Sequence, residues 1–287
     1  MRIFLNAKLV PPHRAVLSVY DHGFLYGDGI YETFRSYGGV IFRLDQHLSR
    51  LQHSARLIHL KLPYGLAKLR TSLYQTLAAN RLSNATLRMT ISRGVGELGL
   101  DPDLCARPTI VITARVFNGY PKALYNRGVA ATVVSIRRLG SDTLDPRIKS
   151  TNFLNNILAK IEAKRAGADE GLMLNREGYL TEGTISNLFL VKKSRLYTPS
   201  PQVGLLEGIT RQVVLELAGT MGIPTEEGFL TPKDLLRADE CFLTNTSMEI
   251  MPVRKIGKVP IGRGEPGPIT LELRKAFRGL VRQECRT

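Results

Sequence analysis

The sequence predicts an α+β protein of two lobes, and three observations carry that prediction. Runs of strand period alternate with stripes of helical spacing along the whole chain, which neither a helical bundle nor a β-sandwich would contain. The composition loosens at F-N-G-Y-P-K-A-L-Y-N-R, residues 117–127, where turn formers interrupt the periodic segments. The 287 residues, 43% of them hydrophobic, suffice for one large core or two modest ones. The expected division is a small α/β domain over 1–118, a connection over 119–127 and a larger domain over 128–287.

The elements follow in order. Arg2–Asn6 reads as a short strand with a turn at Ala7-Lys8. Residues 30–37 alternate with period two and end at Gly38-Gly39, a hairpin turn from which 40–43 return. Asp45 is placed to cap a helix reaching about His59, with Leu48, Leu51, Ala55 and Ile58 on one stripe. A second helix is expected over 66–80, and strands over 85–92 and 109–116. Beyond the connection come a strand over 129–137, a helix over about 152–166 and short strands over 171–198. Helices are expected from Thr210 to about Ala218, behind the Thr231-Pro232 start signal, and over 270–281. Residues 240–243 form a further strand.

Composition excludes several classes. No apolar run approaches the roughly 18–20 residues that span a bilayer, and the opening M-R-I-F-L-N-A-K lacks a signal-peptide pattern. Three scattered cysteines offer no disulfide framework, so a cytoplasmic location is expected. The net charge of +15 is also found in nucleic-acid binders. Here the basic residues are dispersed and not interleaved with aromatics, as a single-strand platform requires. A basic surface that draws in anionic substrates accounts for the charge without a nucleic-acid partner. His47, His53 and His59 fall six apart, off a common helix face, and no metal-ligand cluster accompanies them.

Four short segments carry chemistry. Lys149 lies in P-R-I-K-S-T-N-F-L-N-N, between a strand–loop and a following helix. A lysine at such a mouth can shed water, and nearby cations favour the neutral amine that attacks aldehydes. Glu182, in Y-L-T-E-G-T-I-S-N, stands thirty-three residues later at a strand end. A carboxylate beside a pyridine nitrogen keeps that nitrogen protonated, and the ring then accepts electrons from a carbanion. G-I-T-R at 208–211 opens a helix whose free amides, with the Thr210 hydroxyl, suit a phosphate. Thr246 in T-N-T-S adds a second hydroxyl, and Arg50 a fork of donors. Amine, acid and phosphate grip together are what pyridoxal 5'-phosphate (PLP) chemistry requires. Each alone also has an ordinary structural reading as a solvated cation, a turn acid or a helix cap.

In this order the segments resemble the fold-type IV PLP enzymes, the class IV aminotransferases. That family includes branched-chain and D-amino acid aminotransferases and 4-amino-4-deoxychorismate lyase. The likeness runs from D-H-G-F-L-Y-G-D-G-I-Y-E-T-F-R at 21–35 to E-I-M-P-V at 249–253. It implies a small α/β domain followed by a larger, barrel-like α+β domain, and a homodimer in which the neighbour's 94–102 loop closes each pocket. It also implies that Lys149 forms the Schiff base and shuttles the proton, while Glu182 pairs the pyridine nitrogen. Arg50, Ile209, Thr210 and Thr246 would hold the phosphate, with Leu206 against the ring and Asn187 in support. One departure is Phe153, where branched-chain enzymes carry a tyrosine that bonds the cofactor's phenolic oxygen.

For the substrate, alternation groups Tyr31, Thr33, Arg35 and Tyr37 on one face, and Thr86, Arg88 and Thr90 on another. Tyr31, Thr33, Arg35, Arg88 and Ser247 are the expected substrate residues, the arginines reading a carboxylate. Arg35, Arg88 and G-V-G-E-L-G-L-D-P are similar to branched-chain enzymes, whereas Thr33 resembles the lyase. Leu98 and Leu100 stand where D-alanine enzymes place an arginine and a histidine. The implied activity is amino transfer from a branched-chain-like or D-amino acid to a 2-oxo acid such as 2-oxoglutarate or pyruvate. The alternative is the lyase, which releases pyruvate and 4-aminobenzoate.

Overall fold

A computed structural model describes residues 1–140 and 142–285. The chain forms two units. The first comprises Met1–Asn118, Ile148–Asn152 and the chain from Val281, and the second Gly119–Arg147 and Phe153–Leu280. The segment Ile148–Asn152, expected with the later domain, therefore groups with the first unit. No helix among the described residues is long and apolar enough to cross a membrane.

In the first unit, β1 (Ile3–Leu5), β2 (Lys8–Val10), the short α1 (His22–Leu25), β3 (Gly29–Tyr37) and β4 (Val40–Ile41) precede two helices. These are α2 (Leu44–Leu57) and α3 (Leu66–Ala79), followed by β5 (Ala85–Ser92) and β6 (Thr109–Val116). The strands make an antiparallel sheet in the order β2-β1-β6-β5-β3-β4. Strand alternation sends Ile30, Phe34, Leu87, Met89, Ile91 and Ile112 to one face, where they pack with Leu48, Leu51, Leu69 and Leu73 of the helices. The other face carries the polar set, in register: Tyr31 opposite Thr90, Thr33 opposite Arg88, Arg35 opposite Thr86.

One detail corrects the sequence reading. Asp45 does not cap α2; it lies in the first turn and pairs with Arg70, while Arg43, at φ 51°, is the N-cap residue. An acid in the first turn still faces the positive end of the helix dipole, so the sequence signal is displaced by two residues. At Gly94 the chain leaves β5 with φ 108°, and a Cβ there would meet the Arg107 carbonyl oxygen at 1.8 Å. Only glycine permits that turn.

The second unit opens with α4 (Lys122–Arg127), inside the stretch expected as a connection, and buries Tyr125. Next come β7 (Val129–Val133), shorter than expected, α5 (Leu154–Arg165), β8 (Glu170–Leu174), β9 (Leu180–Gly183), β10 (Asn187–Lys192) and β11 (Arg195–Pro199). Then follow α6 (Ile209–Thr220), β12 (Thr225–Gly228), α7 (Pro232–Leu236), β13 (Glu240–Asn245), β14 (Glu249–Ile256), β15 (Val259–Pro260) and α8 (Pro268–Cys285), whose residues from Val281 group with the first unit. The Thr231-Pro232 signal is fulfilled by a capping box with Asp234. Strands β12-β11-β10-β13-β14-β7-β8-β9 form one mixed sheet, with β15 beside β14. Its centre is apolar: Phe189 and Phe242 stack at 4.9 Å on paired strands.

Candidate active site

The first unit places Lys149 by its backbone. The segment 148–152 lies along the edge of β3, with the Tyr31 N–H donating to the Lys149 carbonyl at 2.9 Å and the Thr151 N–H to the Gly29 carbonyl at 2.9 Å. The Lys149 N–H donates to Ser54 Oγ on α2 at 3.1 Å. Lys149 Nζ lies over the Tyr31 ring at 4.5 Å from its centre, and the Arg88 guanidinium lies over the same ring at 3.6 Å. Two cations thus meet one aromatic surface. Arg35 stacks on Tyr37 at 4.5 Å and on Phe117 at 5.0 Å. Thr33, opposite Arg88, completes the expected substrate set of this unit.

The reverse face of β3 explains Arg50. Its Nε and Nη2 donate to the two oxygens of Glu32 at 2.7 and 2.9 Å, and His47 Nδ1 bonds Glu32 Oε2 at 2.8 Å. Glu32 is fully buried. Burial by itself would raise its carboxyl, but Arg50 and His47 outweigh burial and hold it far below the carboxylate range. Burial lowers the His47 ring below its ordinary value despite the pull of Glu32. Arg50 is therefore a guanidinium oriented by a buried acid.

The cluster makes stability depend on pH with one sign. Glu32, depressed in the fold, contributes stability above its unfolded value of 4.5, lost as pH falls toward its folded value. His47, also depressed, is neutral in the fold, and its contribution is lost as pH falls below 6.5. Melting temperature should accordingly fall on going from pH 7 to pH 5 and further below 4.5. His47→Gln should lack the upper part of that fall. Glu32→Ala, which takes the buried carboxylate away from Arg50 and His47, should cost about 3–5 kcal/mol in denaturant unfolding at neutral pH.

The second unit builds a different cluster around Glu182 at the end of β9. Arg138 Nε donates to Glu182 Oε1 at 2.7 Å, and the Leu206 N–H to Oε2 at 3.2 Å. Asn187 Nδ2 reaches Oε2 at 3.5 Å and donates to the Leu206 carbonyl at 2.8 Å. A carboxylate so surrounded is an acceptor fixed in place. The turn behind it is held by Glu170, buried, which accepts from Thr184 N–H at 3.2 Å, from the Thr184 hydroxyl, and from Ser186 Oγ at 3.0 Å. Glu170→Ala should destabilise the protein by about 2–4 kcal/mol, because it leaves these buried donors unmatched; denaturant unfolding measures it.

Ile209 and Thr210 open α6. Its N-cap, Gly208, makes no side-chain cap hydrogen bond, so the first-turn amides and the buried Thr210 hydroxyl form a donor set of the kind that binds phosphate. A Cβ at Gly208 would meet Asn187 Oδ1 at 2.0 Å, which ties this helix start to the Glu182 cluster. Thr246 and Ser247 sit on the β13–β14 hairpin. Asn245 Oδ1 accepts from Ser247 N–H at 2.9 Å and Met248 N–H at 2.7 Å, shaping that loop.

Glu32, Ser54, Arg138 and Glu170 escaped the sequence reading, and His47 was considered there only as a metal ligand. Glu32 alone had a local signal: alternation puts it between Ile30 and Phe34 on the apolar face, where a lone charge calls for a partner.

Comparison with known proteins agrees over the whole length. The family model described as Amino-transferase class IV matches residues 29–256. A Methanocaldococcus jannaschii protein, assigned provisionally as a branched-chain-amino-acid aminotransferase, is 43% identical over 98% of this chain and 96% of its own. D-alanine aminotransferase of Bacillus licheniformis is 34% identical over 99% and 98%. Aminodeoxychorismate lyase of Bacillus subtilis is 34% identical over 96% and 93%. Among solved structures, Escherichia coli branched-chain amino acid aminotransferase superposes with a TM-score of 0.95 at 32% identity, covering 98% and 94% of the two chains. A second branched-chain amino acid aminotransferase, solved with pyridoxamine 5'-phosphate, superposes with a TM-score of 0.94 at 31% identity, covering 98% and 93%.

Proposed function

Because the chain belongs to the class IV aminotransferase family, we propose that it moves an amino group between a branched-chain-like or D-amino acid and a 2-oxo acid such as 2-oxoglutarate or pyruvate. It is a PLP-dependent enzyme. When bound, PLP supplies an aldehyde that captures amines covalently and a pyridinium ring that withdraws electrons from the substrate α-carbon.

The chain's residues do the rest. Lys149 Nζ would carry the cofactor between turnovers and, once a substrate amine has taken its place, would take the α-proton and move it to the cofactor carbon. Glu182 would accept the hydrogen bond of the ring nitrogen, and Arg138 and the Leu206 amide hold its carboxylate in place. The first-turn amides of α6 from Ile209, with the Thr210 and Thr246 hydroxyls and the Arg50 guanidinium that Glu32 orients, would hold the phosphate. Leu206 would lie against the ring, with Asn187 in support. Tyr31, Thr33, Arg35, Arg88 and Ser247 bind substrate, the arginines through its carboxylates.

The observation that carries the reading is the buried Glu182 carboxylate, held on both oxygens within a chain 43% identical to the Methanocaldococcus jannaschii protein. The lyase reading keeps the same amine and acid, and rests on the 34% identity to the Bacillus subtilis lyase. The discriminating experiment adds single amino acids of both hands to the reconstituted enzyme and follows the loss of its visible absorbance band. Bleaching by a branched-chain amino acid or by a D-amino acid is expected. Release of pyruvate and 4-aminobenzoate from aminodeoxychorismate, with no amino acid bleaching the band, would select the lyase.

We also propose that the enzyme is a cytoplasmic homodimer. Its three cysteines are free, as a reducing compartment keeps them. The first unit exposes an apolar surface, including Val16, Leu17, Val19, Phe24, Leu98 and Leu100. Its two segments are joined by the His22–Glu97 contact at 2.9 Å and the Gly99 N–H to Tyr26 hydroxyl bond at 3.1 Å. A surface of this kind marks an interface. Leu98→Glu with Leu100→Glu should convert a dimer to a monomer in sedimentation; a wild type that sediments as a monomer removes the proposal.

A further inference from the structure

Helix α2 presents His47, Arg50 and Ser54 at spacings of three and four, one face of a helix. That face is anchored before it reaches Lys149. Glu32 of β3 grips His47 and Arg50, and Arg93 donates to the Ile58 and His59 carbonyls beyond the last turn, at 2.8 and 3.3 Å. Arg93 is itself paired with both oxygens of Asp28, beside the start of β3. Ser54 is wholly buried on this fixed helix, and its Oγ accepts the Lys149 N–H at 3.1 Å. From the other side, the Lys149 carbonyl accepts the Tyr31 N–H at 2.9 Å.

We propose that Ser54 is a positioning residue for Lys149, and that the face of α2 sets the amine-bearing residue in register with Arg50. The inference rests on the reading of Lys149 as the residue that carries the cofactor. A lysine side chain has four flexible carbons, so it delivers its amine to one place only if its Cα is held. Here the main chain at Lys149 has one tether to β3 and one to α2. Without the Ser54 oxygen the second tether is lost, a part-buried N–H is left without its acceptor, and the segment moves to recover one. Displacement of a reacting group by about 1 Å can cost on the order of 10²-fold in rate.

The test uses the reconstituted holoenzyme and three variants. Ser54→Ala removes the acceptor, Ser54→Thr restores a hydroxyl, and Ala55→Gly weakens the same helix without touching the tether. Expected for Ser54→Ala are a shifted pH midpoint of the visible band, weaker PLP retention on dilution, and kcat lower by about tenfold with KM within about twofold. Ser54→Thr should recover the midpoint and kcat, and Ala55→Gly should lower the melting temperature while leaving both at wild-type values. Wild-type spectrum and kcat in Ser54→Ala, or the same changes in Ala55→Gly, overturn the inference. Should Ser54→Ala fail to fold, Ser54→Cys, with a weak acceptor of similar size, makes the same comparison. Borohydride trapping of wild-type enzyme followed by peptide mass analysis reads the premise separately: label on any lysine but Lys149 overturns the functional reading and this inference with it.

Discussion

Lys149→Ala is expected to abolish amino transfer while leaving the fold intact. The side chain contributes little to packing; its amine lies over the Tyr31 ring, and the contacts that hold the segment come from the Lys149 amide and carbonyl, which alanine keeps. Stability should therefore change by under about 1 kcal/mol. Activity should not survive, because one amine is asked both to carry the cofactor and to move the α-proton. Loss of the acid–base function by itself is worth on the order of 10²–10⁴-fold. Single-turnover absorbance after mixing with the best amino donor measures the step directly. A small primary amine added from solution should restore part of the proton transfer in Lys149→Ala, since only the base is missing. Turnover of Lys149→Ala at the wild-type rate would show that the amine has no such role.

Glu182→Gln should lower kcat by roughly 10²–10³-fold, the range for removing one preorganised electrostatic partner of the reacting system. The neutral amide no longer favours the protonated ring nitrogen, so the visible spectrum should change with the rate. The same substitution also has a structural cost. Arg138, with a side chain only 13% exposed, loses its carboxylate, and an uncompensated buried charge can cost about 3–5 kcal/mol. The two effects separate in a double variant. Glu182→Gln with Arg138→Met should regain much of the stability in denaturant unfolding, because no charge is left stranded, and none of the activity. Activity that returned together with stability would mean that Glu182 serves only to pair Arg138.

Local pattern sufficed for much of the secondary structure. Residues 85–92 and 109–116 alternate cleanly and fold as β5 and β6, and the stripe of Leu48, Leu51 and Ala55 faces the core of the first unit. The strands it missed have no such pattern. β12 is T-E-E-G, an exposed edge strand without an apolar side, and β14 carries Pro252 within a buried run. The stretch 117–127 looked like a connection because Gly, Pro and Asn punctuate it, yet α4 forms there, anchored by one buried aromatic, Tyr125.

The same division holds for the site. Motifs of four to eleven residues located the amine, the acid, the helix start and the hydroxyl loop, since each chemistry needs a particular residue type beside a particular turn. Family membership, the cofactor and the identity of Lys149 and Glu182 as the residues to test were legible from those letters alone. What depended on the tertiary structure was the company they keep. Arg138 reaches Glu182 across 44 positions, and Ser54 reaches Lys149 across 95. The segment bearing Lys149 joins the first unit because its main chain hydrogen-bonds to β3 and α2, not because of anything near it in sequence. Hydrogen bonds depend on distance and direction in space, and folding supplies both where sequence separation carries no record of either.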